Sequence, residues 1–180
     1  RQRQMCIRDR QGIVFLGGRF DYTPADLAML NVPFVCCSYS NRYGTLIEGE
    51  YSSVSIADGD TAQQAVEELY RHGHRRIAAL ISRPDDQSIS QLRYEGYVQA
   101  LESHGIPVDP ELVISTGGFG AKDAYRAVQE KMAENVDFTA LFAIADSMAI
   151  GAMRALMDAG RRIPEDCSVI AIDGLELSAY

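Results

Sequence analysis

Five apolar runs in this 180-residue chain each end in a pair of mostly small, hydroxylated or acidic residues. The pairs are Gly17-Gly18, Ser38-Tyr39, Ser82-Arg83, Asp146-Ser147 and Asp173-Gly174. Hydroxyls and carboxylates suit a ligand with many hydroxyls of its own better than a phosphate, which calls for cations. The same residue types also build turns and helix caps, so the pairs alone leave both readings open. Catalytic and cofactor patterns are missing. There is no G-x-x-x-x-G-K-[ST] and no G-x-S-x-G, and Gly118-Phe119-Gly120 continues into Ala121-Lys122-Asp123 rather than completing a dinucleotide fingerprint. His72 and His74 flank Gly73, where imidazolium meets a negative helix end, and a C-cap role is expected of them rather than metal binding. Neither a catalytic residue nor a metal ligand is assigned, no cofactor is expected, and the chain is read as not an enzyme.

The elements that must position these pairs alternate. Strand-length runs are Ile13–Leu16, Pro33–Cys37, Ile77–Ile81, Ala140–Ala145 and Val169–Ile172, with a weaker one at Leu112–Ile114. They are continuous rather than alternating in polarity, as parallel strands covered on both faces are. Helical periods lie between them. Thr23-Pro24 with Asp26 reads as a cap, a first-turn proline and an acid at the positive helix end. Asp60 is expected to cap a helix that closes at Gly73, and Ser88 one that closes at Gly105. A helix is expected from about Ala121 to Ala133, and Asp146 is expected to cap one that closes at Gly160. Strand–helix–strand repetition predicts βαβ units, a parallel sheet, and ligands beyond the carboxyl ends of its strands.

Composition bounds the rest. Apolar residues make up 47% and charged residues 23%, the range of an ordinary globular chain. No apolar run approaches the ~18 residues of a membrane span. The net charge of −8 makes the surface a poor grip for phosphate backbone. Residues 1–10, RQRQMCIRDR, resemble translated sequencing-adapter sequence and read as non-native, the alternative being a basic N-terminal arm. Without them the chain holds 13 basic and 24 acidic residues. Adjacent Cys36 and Cys37 point to opposite sides of a strand and read as packed thiols.

Longer motifs carry a family resemblance. Gly73-His74-Arg75-Arg76-Ile77-Ala78-Ala79-Leu80-Ile81, then Arg93-Tyr94-Glu95-Gly96-Tyr97, then Ala100-Leu101 and Gly105-Ile106 resemble the LacI/GalR family of bacterial transcriptional regulators. Ala140-Leu141-Phe142-Ala143-Ile144-Ala145-Asp146 with Ala149-Ile150-Gly151-Ala152 is similar to that family's A-x-F-x-x-N-D-x-x-A-x-G-A. Gly160, Ile163-Pro164-Glu165-Asp166 and Ser168-Val169-Ile170-Ala171-Ile172-Asp173 resemble its G-x-x-[IV]-P-x-D-x-S-[VI]-x-G-[FY]-D. Asn31-Val32-Pro33-Phe34-Val35 matches the strand before the ligand pocket. The resemblance runs from Gln11 to Tyr180.

It implies an α/β fold of two Rossmann-like lobes with parallel sheets, the periplasmic-binding-protein-like type I arrangement, with a small molecule held between the lobes. Residues 11–73 would form part of the N-terminal lobe and 74–180 most of the C-terminal lobe. The family's DNA-binding headpiece, its first strands and helices and its C-terminal end would lie outside this sequence. The resemblance also implies effector contacts. Arg93 takes the position of a guanidinium that grips effector, Asp173 that of a carboxylate accepting sugar hydroxyl protons, and Phe119 that of a ring lying against the ligand. Ser38 and Ile56 are expected to contribute from the N-terminal lobe, and Asp146 and Ser147 from the C-terminal one. Two positions depart from the family pattern: Ala145-Asp146 stands for Asn-Asp, and Ala57-Asp58 for Asp-Asn.

The expectation is an effector-sensing domain of a cytoplasmic, dimeric DNA-binding regulator, a repressor of carbohydrate genes, whose operator affinity is set by a sugar or sugar phosphate. No membrane partner is expected. The alternative is the sugar-binding receptor of an ABC-type uptake system, and an α/β enzyme with an unrecognised site is a weaker third reading.

Overall fold

A computed structural model describes residues 11–38, 41–47, 49 and 51–176. Residues 1–10 and Tyr39 lie outside the described residues, so the adapter reading and half of the Ser38-Tyr39 pair have no structural counterpart here. Contacts divide the chain into two compact units, one ending at Ile56 and one beginning at Ala57.

The first unit is a three-stranded parallel sheet in the order β1-β2-β3, formed by β1 (Ile13–Leu16), β2 (Phe34–Cys37) and β3 (Ser52–Val54). Helix α1 (Pro24–Leu27) is a single turn. Thr23 caps it as expected, and Asp26 completes a reciprocal capping box. On one face of the sheet Phe15 packs edge-on against Phe34, and Phe34 stacks on Tyr51. The other face carries Val14, Leu16 and Val54, of which Val14 is 68% and Leu16 81% exposed. Here the expectation of strands covered on both faces fails. The continuous apolar run identified a strand, but among the described residues no helix covers that side. Strand β3 was not foreseen, because Ser-Ser-Val is too short and too polar to stand out.

The second unit holds a four-stranded parallel sheet ordered β5-β4-β6-β7. Its strands are β4 (Ile77–Ile81), β5 (Val113–Ser115), β6 (Ala140–Ala143) and β7 (Ser168–Ala171). Every residue of β4 and β6 is buried, so here the continuous runs do reflect cover on both faces. The cover comes from α2 (Asp58–Arg71), α3 (Ile89–Ser103), α4 (Ala121–Ala133) and α5 (Asp146–Asp158). Helices α2 and α3 meet at Gly96, where any Cβ would run into the Gly59 carbonyl oxygen and come within 2.9 Å of the Ala62 Cβ. Gly151 lets α5 approach Ala121 of α4 in the same way. The Tyr97 ring is fully buried against Phe142, and its hydroxyl donates to the Ile77 carbonyl at 2.9 Å, which satisfies its one polar atom.

Three local expectations need correction. Asp60 does not cap α2. The helix begins two residues earlier, because the Ala57 carbonyl already accepts both the Thr61 amide and the Thr61 hydroxyl. Asp146 is the first residue of α5 rather than its cap, a place taken by Ala145 without a side-chain bond. His72 is the C-cap residue of α2, but His74 is not a cap: its ring bridges the Thr139 and Ser168 hydroxyls at 3.0 Å each, tying together the starts of β6 and β7. Ser88 does cap α3.

Candidate functional site

Three elements of the second unit converge beyond the carboxyl ends of β6 and β7. Arg93 projects from the second turn of α3 and is only 4% exposed. Its Nε donates to Asp58 Oδ1 at 2.9 Å, and Asp58 is the first residue of α2. Its Nη1 donates to the Ile144 carbonyl, one residue past β6, and lies 3.4 Å from Asp173 Oδ1, two residues past β7. A guanidinium is a planar fork of donors, and here three acceptors from three elements fix its plane. Arg93 is therefore not a surface arginine of its helix.

The two carboxylates differ. Asp58 is buried to the same degree as Arg93; burial pushes its carboxyl above its ordinary value, and the adjacent guanidinium opposes that. Asp173 is 39% exposed and adopts φ 133°, so its second oxygen can meet solvent or a ligand. Asp146 lies beside them in the chain path. Its amide donates to the Ile172 carbonyl, and its buried carboxylate accepts the Leu175 amide at 2.6 Å, which shapes the turn after Asp173.

The remaining expected residues are placed as follows. Phe119 sits in the loop after β5 and is 39% exposed as a residue, so it is not a core residue under the glycine turn. The Ser147 hydroxyl donates to the Phe119 carbonyl at 2.8 Å, which joins the start of α5 to that loop. Ser38 and Ile56 belong to the first unit. Ser38 is exposed at φ 65° with its amide on the Val54 carbonyl, and Ile56 is 57% exposed. The structure thus joins Arg93 to Asp173 directly and Phe119 to Ser147 directly. Among the described residues no cluster of His, Cys, Asp and Glu could hold a metal.

Two contributors escaped the sequence reading. Asp58 was noticed only as a departure from a motif, although its place at the head of a helix next to the arginine-bearing one was the available signal. Ser90 left no signal at all. It is fully buried, accepts the Ser82 and Arg83 amides at 3.1 Å each and donates to the Arg83 carbonyl, so it ties the β4–α3 turn that sets the height of Arg93. Ser82 is used up in this turn, which is the structural reading of that pair.

Residues 66–180 match a protein family described as periplasmic binding protein-like domain. The chain belongs to that family. Within the periplasmic binding protein-like proteins its likeness is to LacI-type regulators. It is 34% identical over 94% of its length to the HTH-type transcriptional regulator MalR of Clostridium butyricum, and 32% identical over 94% to the HTH-type transcriptional repressor CytR of Escherichia coli. It covers 50% and 48% of these two, so the chain spans about half the length of the curated relatives it matches. A sugar-binding transcriptional regulator of the LacI family from Escherichia coli, solved with phosphate, superposes with TM-score 0.81 at 29% identity, covering 94% of this chain and 59% of that one. The transcriptional regulator CelR, solved with cellobiose, superposes with TM-score 0.79 at 32% identity, covering 93% and 50%. These findings bear out the expected fold class and family. Among the described residues no helix is long and apolar enough to cross a membrane.

Proposed function

We propose that this chain is the effector-binding part of a cytoplasmic DNA-binding transcriptional regulator, a repressor of carbohydrate genes, and that its effector is a sugar. The observation that carries the reading is the junction of Arg93 and Asp173 beyond the carboxyl ends of a parallel sheet. Arg93 offers donors held in a fixed plane, and the half-exposed Asp173 accepts hydroxyl protons. Phe119 offers a ring for a sugar's C–H face, through apolar burial and dispersion. Asp146 and Ser147 complete the set from the head of α5. Ser38 and Ile56 are proposed as further contacts from the first unit. The lobe boundary after Gly73 belongs to this reading also. Contacts group α2 with the second unit, because Gly96 seats it on α3.

The named relatives are transcriptional regulators, and one of them was solved with cellobiose, which supports a regulator over an uptake receptor. The mechanism is allosteric. Effector shifts operator affinity by its differential affinity for two conformations of a homodimer, a coupling of about 1–3 kcal/mol. The headpiece that would contact operator is a further part of the proposal.

In the full-length protein Asp173→Asn keeps a residue that tolerates positive φ while losing the charged acceptor. It should weaken the effector response at least about tenfold, the worth of one charge-assisted hydrogen bond, and Phe119→Ala should weaken it separately through lost apolar contact. Operator affinity without effector should stay unchanged. An undiminished response in both variants, read by operator binding against effector concentration, overturns the assignment.

A further inference from the structure

The charge around Arg93 narrows the ligand class. This guanidinium is the one buried cation among the described residues of the second unit, and its charge is already matched by Asp58 at 2.9 Å, itself only 4% exposed. Asp173 at 3.4 Å adds a second carboxylate, while the buried Asp146 carboxylate is engaged by the Leu175 amide at the turn after β7. One guanidinium therefore pairs with two carboxylates, and their formal charges sum to net negative. Helix N-termini are the other common grip for an anion, and here first-turn acids offset the positive end of most of them. Asp58 and Asp60 fill the first turn of α2, Asp123 that of α4 and Asp146 that of α5. Only α3 lacks an acid there, and the Ser88 hydroxyl that caps it is bonded to Asp86. The basic residues after the strands, Arg83 and Lys122, are exposed, with Asp85-Asp86 and Asp123 beside them in sequence.

We infer that the effector is an uncharged polyol sugar and that Asp58, through its pairing with Arg93, excludes phosphorylated and carboxylated sugars. The inference rests on the effector reading above and deepens it. With its charge spent internally, Arg93 presents directional donors to neutral hydroxyls, whereas a phosphate would have to displace Asp58 or sit beside two carboxylates. Asn, the residue the family pattern puts at position 58, would leave Asp173 as the guanidinium's one carboxylate partner and remove the excess negative charge that repels an anion.

The test is calorimetric titration of the full-length protein with matched pairs: glucose against glucose 6-phosphate and glucuronate, and cellobiose against its phosphate ester. The neutral member should bind at least about tenfold more tightly than its anionic counterpart, the effect of one unscreened unit charge in a partly buried site. Asp58→Asn should close that gap by about tenfold, and the more exposed Asp173→Asn should narrow it if Asp58→Asn does not fold. An anionic sugar that binds the unaltered protein as tightly as its neutral partner, or a gap unmoved in both variants, overturns the inference but leaves the effector reading standing. Binding of no sugar of either kind overturns the effector reading and this inference with it.

Discussion

The two sheets of this chain are built from similar words and end in different states. Val14 and Leu16 in β1 are as apolar as Ala78 and Leu80 in β4, yet the first pair is largely exposed and the second fully buried. Both sheets are parallel. The difference is cover: four helices clothe the second sheet, and a single-turn helix accompanies the first. An apolar run thus states a demand for burial, and neighbouring elements decide whether the demand is met. The site follows the same rule, since Arg93 can be buried only where the second unit supplies partners for its Nε and Nη1.

The contrast is sharpest for large apolar side chains. Phe142→Ala in β6 should cost about 3–5 kcal/mol, by lost transfer energy and a cavity beside Tyr97. Val14→Ala in β1 should stay within about 0.5 kcal/mol, since so little of its side chain is buried. Urea unfolding of the full-length variants checks both, and comparable losses would erase the distinction between the units. Glycines give a middle-sized test. Gly96→Ala should destabilise by about 1–3 kcal/mol or more, because the Gly59 carbonyl at its Cβ position is backbone and cannot swing away. Gly17→Ala, in the first unit, meets nothing within 4 Å and should lose only about 1–2 kcal/mol, from its φ of 69°. Equal losses would show that contact at the α2–α3 crossing is not what Gly96 provides.

The smallest effect concerns pH. Burial holds the His74 imidazole below its ordinary value, with His72 adding repulsion. Once unfolded, His74 titrates near 6.5, so below about pH 6.5 the unfolded chain takes up a proton that the folded chain resists. The stability contributed is complete above that pH and is lost as pH falls towards the folded value. Urea midpoints at about pH 7.5 and pH 5.5 should therefore separate more in the unaltered protein than in His74→Gln. Identical separations would remove His74 from the acid response.

Much of the fold could be read in the residues. Four of the five expected strands of full length are reproduced to within a residue at either end, and the fifth, Ala140–Ala145, stops two residues early at Ala143. Helix α4 matches its expected bounds, and the caps at Thr23 and Ser88 hold, because hydroxyls before an apolar period are a local signal. Asp60 and Asp146 failed as caps for a reason no local pattern carries. In each case an alanine carbonyl or a neighbouring strand had already fixed where the helix begins. The site was half legible: motif positions pointed to Arg93 and Asp173, while Asp58 and Ser90 gained their roles only from what they touch.

Local chemistry alone was enough to establish alternating strands and helices, a parallel sheet, and polar residues gathered at the strand ends, since periodicity, caps and turn residues act within a few positions. Which strands are clothed, which carboxylate neutralises Arg93 and which stays open to a ligand depend on residues 35 and 80 positions away in the chain. Burial and charge pairing are set by distances in space, and folding alone brings those residues within reach.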